Sequence, residues 1–268
     1  MPKKGIFIVS RFRNLEFPDD SKPKRQPVEE GPEKRYRHSA GDWLCEADEK
    51  RRLGFHEEAL RLYSRALEND RSLVPCWIEQ VRMLVLLGEP RQADLWATSG
   101  LKLFPQNGDL FAGRAQAMCR MSHRKEAVEY SDASLQSGGD SPYRWIARGE
   151  VMHVAKSKSA QHCFDSAQQL CDDWLVRVDI ANVLLYYHSP AGALQHVNDA
   201  VTLAPDKPYL WLVKGRCEYE AGFAKAAEKS VDNALQLFPD YQEASVLLAK
   251  IRNNSGFWSN LWKRFRRS

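Results

Sequence analysis

The sequence predicts an all-α fold, an array of about six helix–turn–helix units closed by a capping helix. Three columns of residues predict it. Ala59, Ala93, Ala127, Ala160, Ala193 and Ala227 recur at intervals of 34, 34, 33, 33 and 34 residues, each inside a helical run. A second column, Ala47, Val81, Ala115, Gly149, Ala181 and Gly215, stands twelve residues earlier, or eleven at Gly149. A third, Ala66, Gly100, Ser134, Ala167, Ala200 and Ala234, follows the first by seven residues.

Two amphipathic helices per unit account for these columns. Small residues at matching depth let the two helices approach closely. The residue four places before the second column (Trp43, Trp77, Phe111, Trp145, Arg177 or Trp211) fills space against the neighbouring unit. One helix pair cannot bury a face alone, so the pairs stack and share a core.

The units fall in order at about 40–73, 74–107, 108–141, 142–173, 174–207 and 208–241. Gly54 and Gly88 end the first helices of units one and two, and Pro105 follows the second helix of unit two. Gly138-Gly139 is an inter-unit turn. Units four and five are the irregular ones, with two shortened spacings and Arg177 in the aromatic column, and His188-Ser189-Pro190 breaks the fifth. Ala221-Gly222 ends the first helix of the sixth, and Pro239 closes it. Residues 242–254 read as a helix that solvates the last apolar edge.

Two arms flank the array. Lys/Arg outnumber Asp/Glu ten to six in residues 1–40 and four to none in 255–268, so the net charge of +4 conceals a negative middle. Residues 1–39 carry five prolines among mixed charges, the composition of a flexible arm, with Gly5-Ile6-Phe7-Ile8-Val9 as a sticky patch, strand or groove ligand. In 255–268, at about 100° per residue, Phe257, Trp258, Leu261, Trp262 and Phe265 gather on one side. Lys263, Arg264, Arg266 and Arg267 crowd the C-terminal end, and Ser255 reads as the N-cap of this short basic helix. Its readings are an anionic membrane surface, docking on a protein, or stacking on single-stranded nucleic acid.

The register resembles the tetratricopeptide repeat (TPR) family over residues 40–241, and most closely in unit six, where Trp211, Gly215, Ala227, Ala234 and Pro239 follow the family pattern. The resemblance implies a right-handed superhelical solenoid whose first helices line a concave face that takes an extended peptide or a partner helix. The residues following the large and the small positions are four apart, hence on one helix face. With one turn added on either side, they give a candidate groove of Leu44, Asp48, Ile78, Arg82, Gln116, Tyr143, Ile146, Glu150, Asn182, Tyr209, Arg216 and Tyr219. Apolar members of this set either face a partner or pack between helices, and the polar ones are expected to be exposed. Their mixed signs point to a partner bearing both charges. The column pairs contain no Lys, and only Asn182 supplies an Asn, so the terminal-carboxylate clamp of chaperone-binding members is not expected.

The sequence contains no phosphate-binding glycine loop, no metal-ligand spacing among its seven histidines and no Cys-x-x-Cys pair among its six cysteines. Catalytic residues, metal and cofactor are therefore not expected. The cysteines read as reduced thiols of a cytoplasmic compartment, and neither a secretory signal nor a membrane span is expected. The function expected is a non-enzymatic scaffold or adaptor for a protein partner, tethered as a peripheral membrane protein if the tail meets lipid. The alternatives are an assembly factor that mainly oligomerises and a nucleic-acid-binding protein using the basic arms.

Overall fold

The structure, a computed structural model, describes residues 38–265, with side chains through Asn253. The expectations for the N-terminal arm up to residue 37 and for the tail side chains lie outside these described residues. Thirteen α-helices and no strand occur among them. In chain order they are α1 (Ala40–Arg52), α2 (His56–Asn69), α3 (Val74–Leu86), α4 (Pro90–Leu103), α5 (Gly108–Arg120) and α6 (Arg124–Gln136). They continue with α7 (Pro142–Val154), α8 (Ser159–Leu170), α9 (Trp174–Tyr186), α10 (Pro190–Leu203), α11 (Pro208–Glu220), α12 (Ala224–Leu237) and α13 (Gln242–Phe265). The described chain separates into two compact units, one holding α1 up to Arg51 and α2–α6, the other holding Arg52–Gly54 and α7–α13.

Helix starts are chemically marked. Ser39 and Asp42 cap each other across the first turn of α1: the Ser39 N–H donates to Asp42 Oδ2 at 2.7 Å, and the Asp42 N–H donates to Ser39 Oγ at 3.1 Å. Asn107, Ser141 and Asp173 accept backbone N–H groups at the starts of α5, α7 and α9. Proline opens α4, α7, α10 and α11, where its missing N–H costs no helical bond.

The first helix of every pair ends with one residue in the left-handed region: Gly54 (φ 83°), Gly88 (77°), Ser122 (67°), Lys156 (55°), His188 (54°) and Gly222 (85°). The next N–H then reaches back five residues, as from Glu89 to the Leu84 carbonyl at 2.9 Å and from Phe223 to Glu218 at 2.8 Å. Units three, four and five therefore place side chains where the backbone favours glycine, at a cost of about 1 kcal/mol each.

All eighteen residues of the three sequence columns are buried. In the first unit, Ala47, Ala59, Val81 and Ala93 lie among Tyr63, Leu67, Met83 and Leu84, and the Trp77 and Trp96 rings meet at 5.4 Å. A Cβ on Gly100 would come within 2.9 Å of Leu110. In the second unit, a Cβ on Gly149 in α7 would come 2.3 Å from Phe164 Cε1 of α8, and one on Gly215 in α11 would sit 2.6 Å from Val231 of α12. Such side chains fit only if the facing side chain or its helix shifts.

The column of large residues does a second job. Trp77 Nε1 donates to the Arg71 carbonyl at 3.0 Å, Trp211 Nε1 to Pro205 at 2.7 Å, and Trp145 Nε1 to Asp140 Oδ1 at 2.9 Å. Each indole ties its helix to the loop just before it. Arg177, out of type in sequence, makes the same tie: its Nη2 donates to Asp172 Oδ1 at 2.9 Å, five residues back as in Trp145–Asp140.

One expectation is corrected. Helix α13 runs unbroken through Ser255 for 24 residues, about 36 Å at 1.5 Å per residue, so Ser255 lies within the helix and not at a helix start. Ala244, Leu247 and Ile251, spaced three and four apart, are its buried face.

Two substitutions test this account by urea unfolding followed by circular dichroism. Ser122→Gly relaxes the left-handed turn and is expected to stabilise the chain by about 1 kcal/mol. Ala227→Trp overfills the α11–α12 crossing and is expected to cost about 1–3 kcal/mol.

Candidate functional site

The first helices carry the candidate groove. In the first unit Leu44, Ile78 and Arg82 are half-buried, Asp48 is exposed and Gln116 is buried. Asp48 Oδ1 accepts the Tyr63 hydroxyl at 2.6 Å. Burial of that phenol, then the charge of Glu79, pushes its pKa well above the usual tyrosine range, so it remains a donor. Glu79, absent from the sequence expectation, lies between two arginines. Its Oε2 is 3.1 Å from Arg51 Nε of α1, and its Oε1 is 2.7 Å from Arg82 Nη1 of its own helix. Farther along, Arg120 Nη1 donates to the Val85 carbonyl, joining α5 to α3.

In the second unit Tyr143, Ile146, Glu150 and Tyr209 are all buried, whereas Asn182, Arg216 and Tyr219 are half-buried. Glu150 Oε1 accepts the Tyr187 hydroxyl at 3.0 Å, linking α7 to the end of α9. Asn182 Nδ2 donates to Tyr209 Oη at 3.0 Å, linking α9 to α11. Lys250 Nζ of α13 stands 5.1 Å from the Tyr219 ring centroid of α11. Each of these contacts spans one step from a first helix to the next, or to the capping helix.

The expectation of an exposed polar column is thus corrected at Gln116 and Glu150, which are 3% and 0% exposed. These side chains lie within the packing. Tyr143, Ile146 and Tyr209 are likewise packed between helices. Leu44, Asp48, Ile78 and Arg82 in one unit, and Asn182, Arg216 and Tyr219 in the other, keep accessible surface.

Among the described residues no group of three His, Cys, Asp or Glu side chains is placed to hold a metal ion, and no helix is long and apolar enough to cross a membrane. Burial pushes the thiols of Cys76 and Cys217 up to about 12, which leaves them protonated at neutral pH.

His196 in α10 is 3% exposed, with Gln168 Nε2 at 3.1 Å from its Nδ1 and the Phe164 ring edge-on at 6.0 Å. Burial holds its pKa below the ordinary 6.5 against the opposing pull of Asp199 and Asp165. The folded state therefore binds fewer protons than the unfolded chain just below pH 6.5, and stability is lost as pH falls through that range. Urea unfolding at pH 8 and pH 5.5 is expected to show this loss in the wild type and a smaller one in His196→Gln. Equal losses contradict it.

No family model and no curated protein sequence matches the chain. Solved structures do resemble it. A tetratricopeptide repeat protein from Parabacteroides merdae aligns at a TM-score of 0.48 and 15% identity, over 80% of this chain and 84% of its own. TTC0263, a thermophilic TPR protein of Thermus thermophilus, aligns at 0.47 and 15%, over 80% and 98%. The Cut9-Hcn1 hetero-tetramer of the APC/C aligns at 0.47 and 18%, over 81% of this chain but 44% of that one, so this chain spans less than half its length. The helix pairs and their buried columns stand independently of these likenesses. Six helix–turn–helix units on a 32–34-residue register, followed by α13, give the chain the tetratricopeptide-repeat fold.

Proposed function

We propose that the chain is a non-enzymatic scaffold that binds a protein partner, as an extended peptide or a helix, on the first-helix faces of its units. The observation that carries this reading is the accessible remainder of the column: Leu44, Asp48, Ile78 and Arg82 lie on α1 and α3, with apolar and charged members alternating. A mixed surface of this kind anchors a peptide through its apolar members and sets register through its charges. Asn182, Arg216 and Tyr219 supply a smaller patch, polar, basic and aromatic, on the second unit.

Affinity capture with the intact chain and with a Leu44→Ser, Arg82→Gln, Tyr219→Ala variant tests the reading, because these residues keep accessible surface. The expected result is at least roughly tenfold lower recovery of one reproducible set of proteins by a variant that melts somewhat lower but is fully helical at the assay temperature. Equal recovery by both forms contradicts the proposal.

The C-terminal segment supports a second contact. Helix α13 buries Ala244, Leu247 and Ile251, and in the sequence Trp258, Leu261, Trp262 and Phe265 recur at helical spacing after them. An apolar stripe in step with a buried helix face favours a protein surface for the tail. Lys263, Arg264, Arg266 and Arg267 are the feature that favours an anionic membrane instead. Co-sedimentation with phosphatidylserine vesicles, comparing the full chain with one ending at Asn254, separates the two. Equal pelleting of both forms is expected from protein docking. Salt-sensitive pelleting of the full chain alone assigns the tail to the membrane.

A further inference from the structure

We propose that the turn between α7 and α8 forms a site for an acidic peptide segment of a partner protein. A cleft of about 560 Å³ opens there, lined by His153, Val154, Lys156, Ser157, Lys158 and Tyr187. Val154 and the Tyr187 ring, with the His153 imidazole 5.8 Å from that ring, form a largely apolar wall. Two lysines belong to its lining. Lys156 and Lys158 are exposed, and neither makes an ion pair with any described residue, whereas Arg177, Lys207 and Arg252 of the same unit all meet carboxylates.

The backbone adds a second observation. Lys156 occupies the left-handed position, φ 55°, where units one, two and six place glycine. Units three and five place Ser122 and His188 at the same position, so the left-handed backbone belongs to the fold; particular to this turn is that the side chain it carries is a cation lining a cleft. The turn is held firm: the Lys156 N–H donates to the His153 carbonyl at 2.9 Å, the Ser157 N–H to Met152 at 2.9 Å, and the Ser159 N–H to Ser157 Oγ at 3.2 Å. Below the cleft Glu150 is fully buried and accepts the Tyr187 hydroxyl, which fixes the aromatic wall.

Two cations above an apolar wall complement carboxylate side chains that alternate with an apolar residue. A nucleic acid needs a longer basic track than two lysines, and the exposed Asp165, Asp172 and Glu220 of the same unit oppose one. The site lies at the turn end of the pair and does not depend on the first-helix face binding anything.

Fluorescence anisotropy with the full chain and a labelled ten-residue peptide of alternating glutamate and leucine provides the test. Saturable binding is expected, weakened about tenfold by Lys156→Gly and again by Lys158→Gln, and unchanged by Lys125→Gln in α6. Lys156→Gly is the informative variant: it relieves the turn, so it is expected to melt no lower than wild type while losing affinity. Equal affinity in wild type and Lys156→Gly overturns the proposal, as does absence of binding at about 1 mM peptide. Tighter Lys156-dependent binding of phosphatidylserine vesicles or of a single-stranded oligonucleotide also overturns it and assigns the lysines to phosphate.

Discussion

The close approach of two helices at a column of small side chains is the constraint on which the other features depend. Where Gly149 faces Phe164 and Gly215 faces Val231, one added methyl group meets atoms closer than 3 Å, so the helices of these two pairs approach as closely as the small column allows, and the buried small residues of the other pairs stand at the same register. That separation fixes the rest of the unit. It buries the second-helix alanines, aims the first helix of the pair toward the next, and forces the connecting turn to reverse within a few residues. The left-handed residue at the end of each first helix follows from this requirement, including at Ser122, Lys156 and His188, where the side chain is unfavourable.

Once the pairs are fixed, the first helices stand close enough for side chains to bridge from one to the next. Arg51 with Glu79, Glu150 with Tyr187 and Asn182 with Tyr209 each link neighbouring repeats with a polar contact. A buried carboxylate or amide is tolerated only with such partners. The same contacts give register, because a polar side chain displaced by one helical turn loses its partner. These bridges leave accessible a smaller and more mixed surface than the whole column.

Much of the fold was legible in the sequence because close packing tolerates few residue types, and three columns in step leave little freedom for another architecture. The candidate site was legible only in outline. Face arithmetic on one helix puts Gln116 and Glu150 in one column with the other first-helix residues but does not reveal a Tyr187 hydroxyl arriving from two helices away. Arg177 looked like a departure from the pattern, yet Asp172 five residues earlier repeats the Trp145–Asp140 spacing, and that signal was present to be read. Ser255 followed the local rule for a helix start, but the apolar spacing of α13 continues across it, and a continuing stripe outweighs a single capping residue. The turns at Ser122 and Lys156 carry no glycine, so only their 34-residue register with Gly54 and Gly88 signals their left-handed backbone.

The central claim is that contact between the small column and the facing helix sets the geometry of each pair, and a double-mutant cycle on Gly149→Ala and Phe164→Leu tests it most directly. Alanine is favoured over glycine in a helix by about 1 kcal/mol, so propensity alone predicts that Gly149→Ala stabilises. Overpacking against the Phe164 ring predicts instead a net loss of about 1–3 kcal/mol in urea unfolding, with Phe164→Leu in the same chain restoring at least about 0.5 kcal/mol of it. A stabilising Gly149→Ala, or two losses that simply add, would contradict the account.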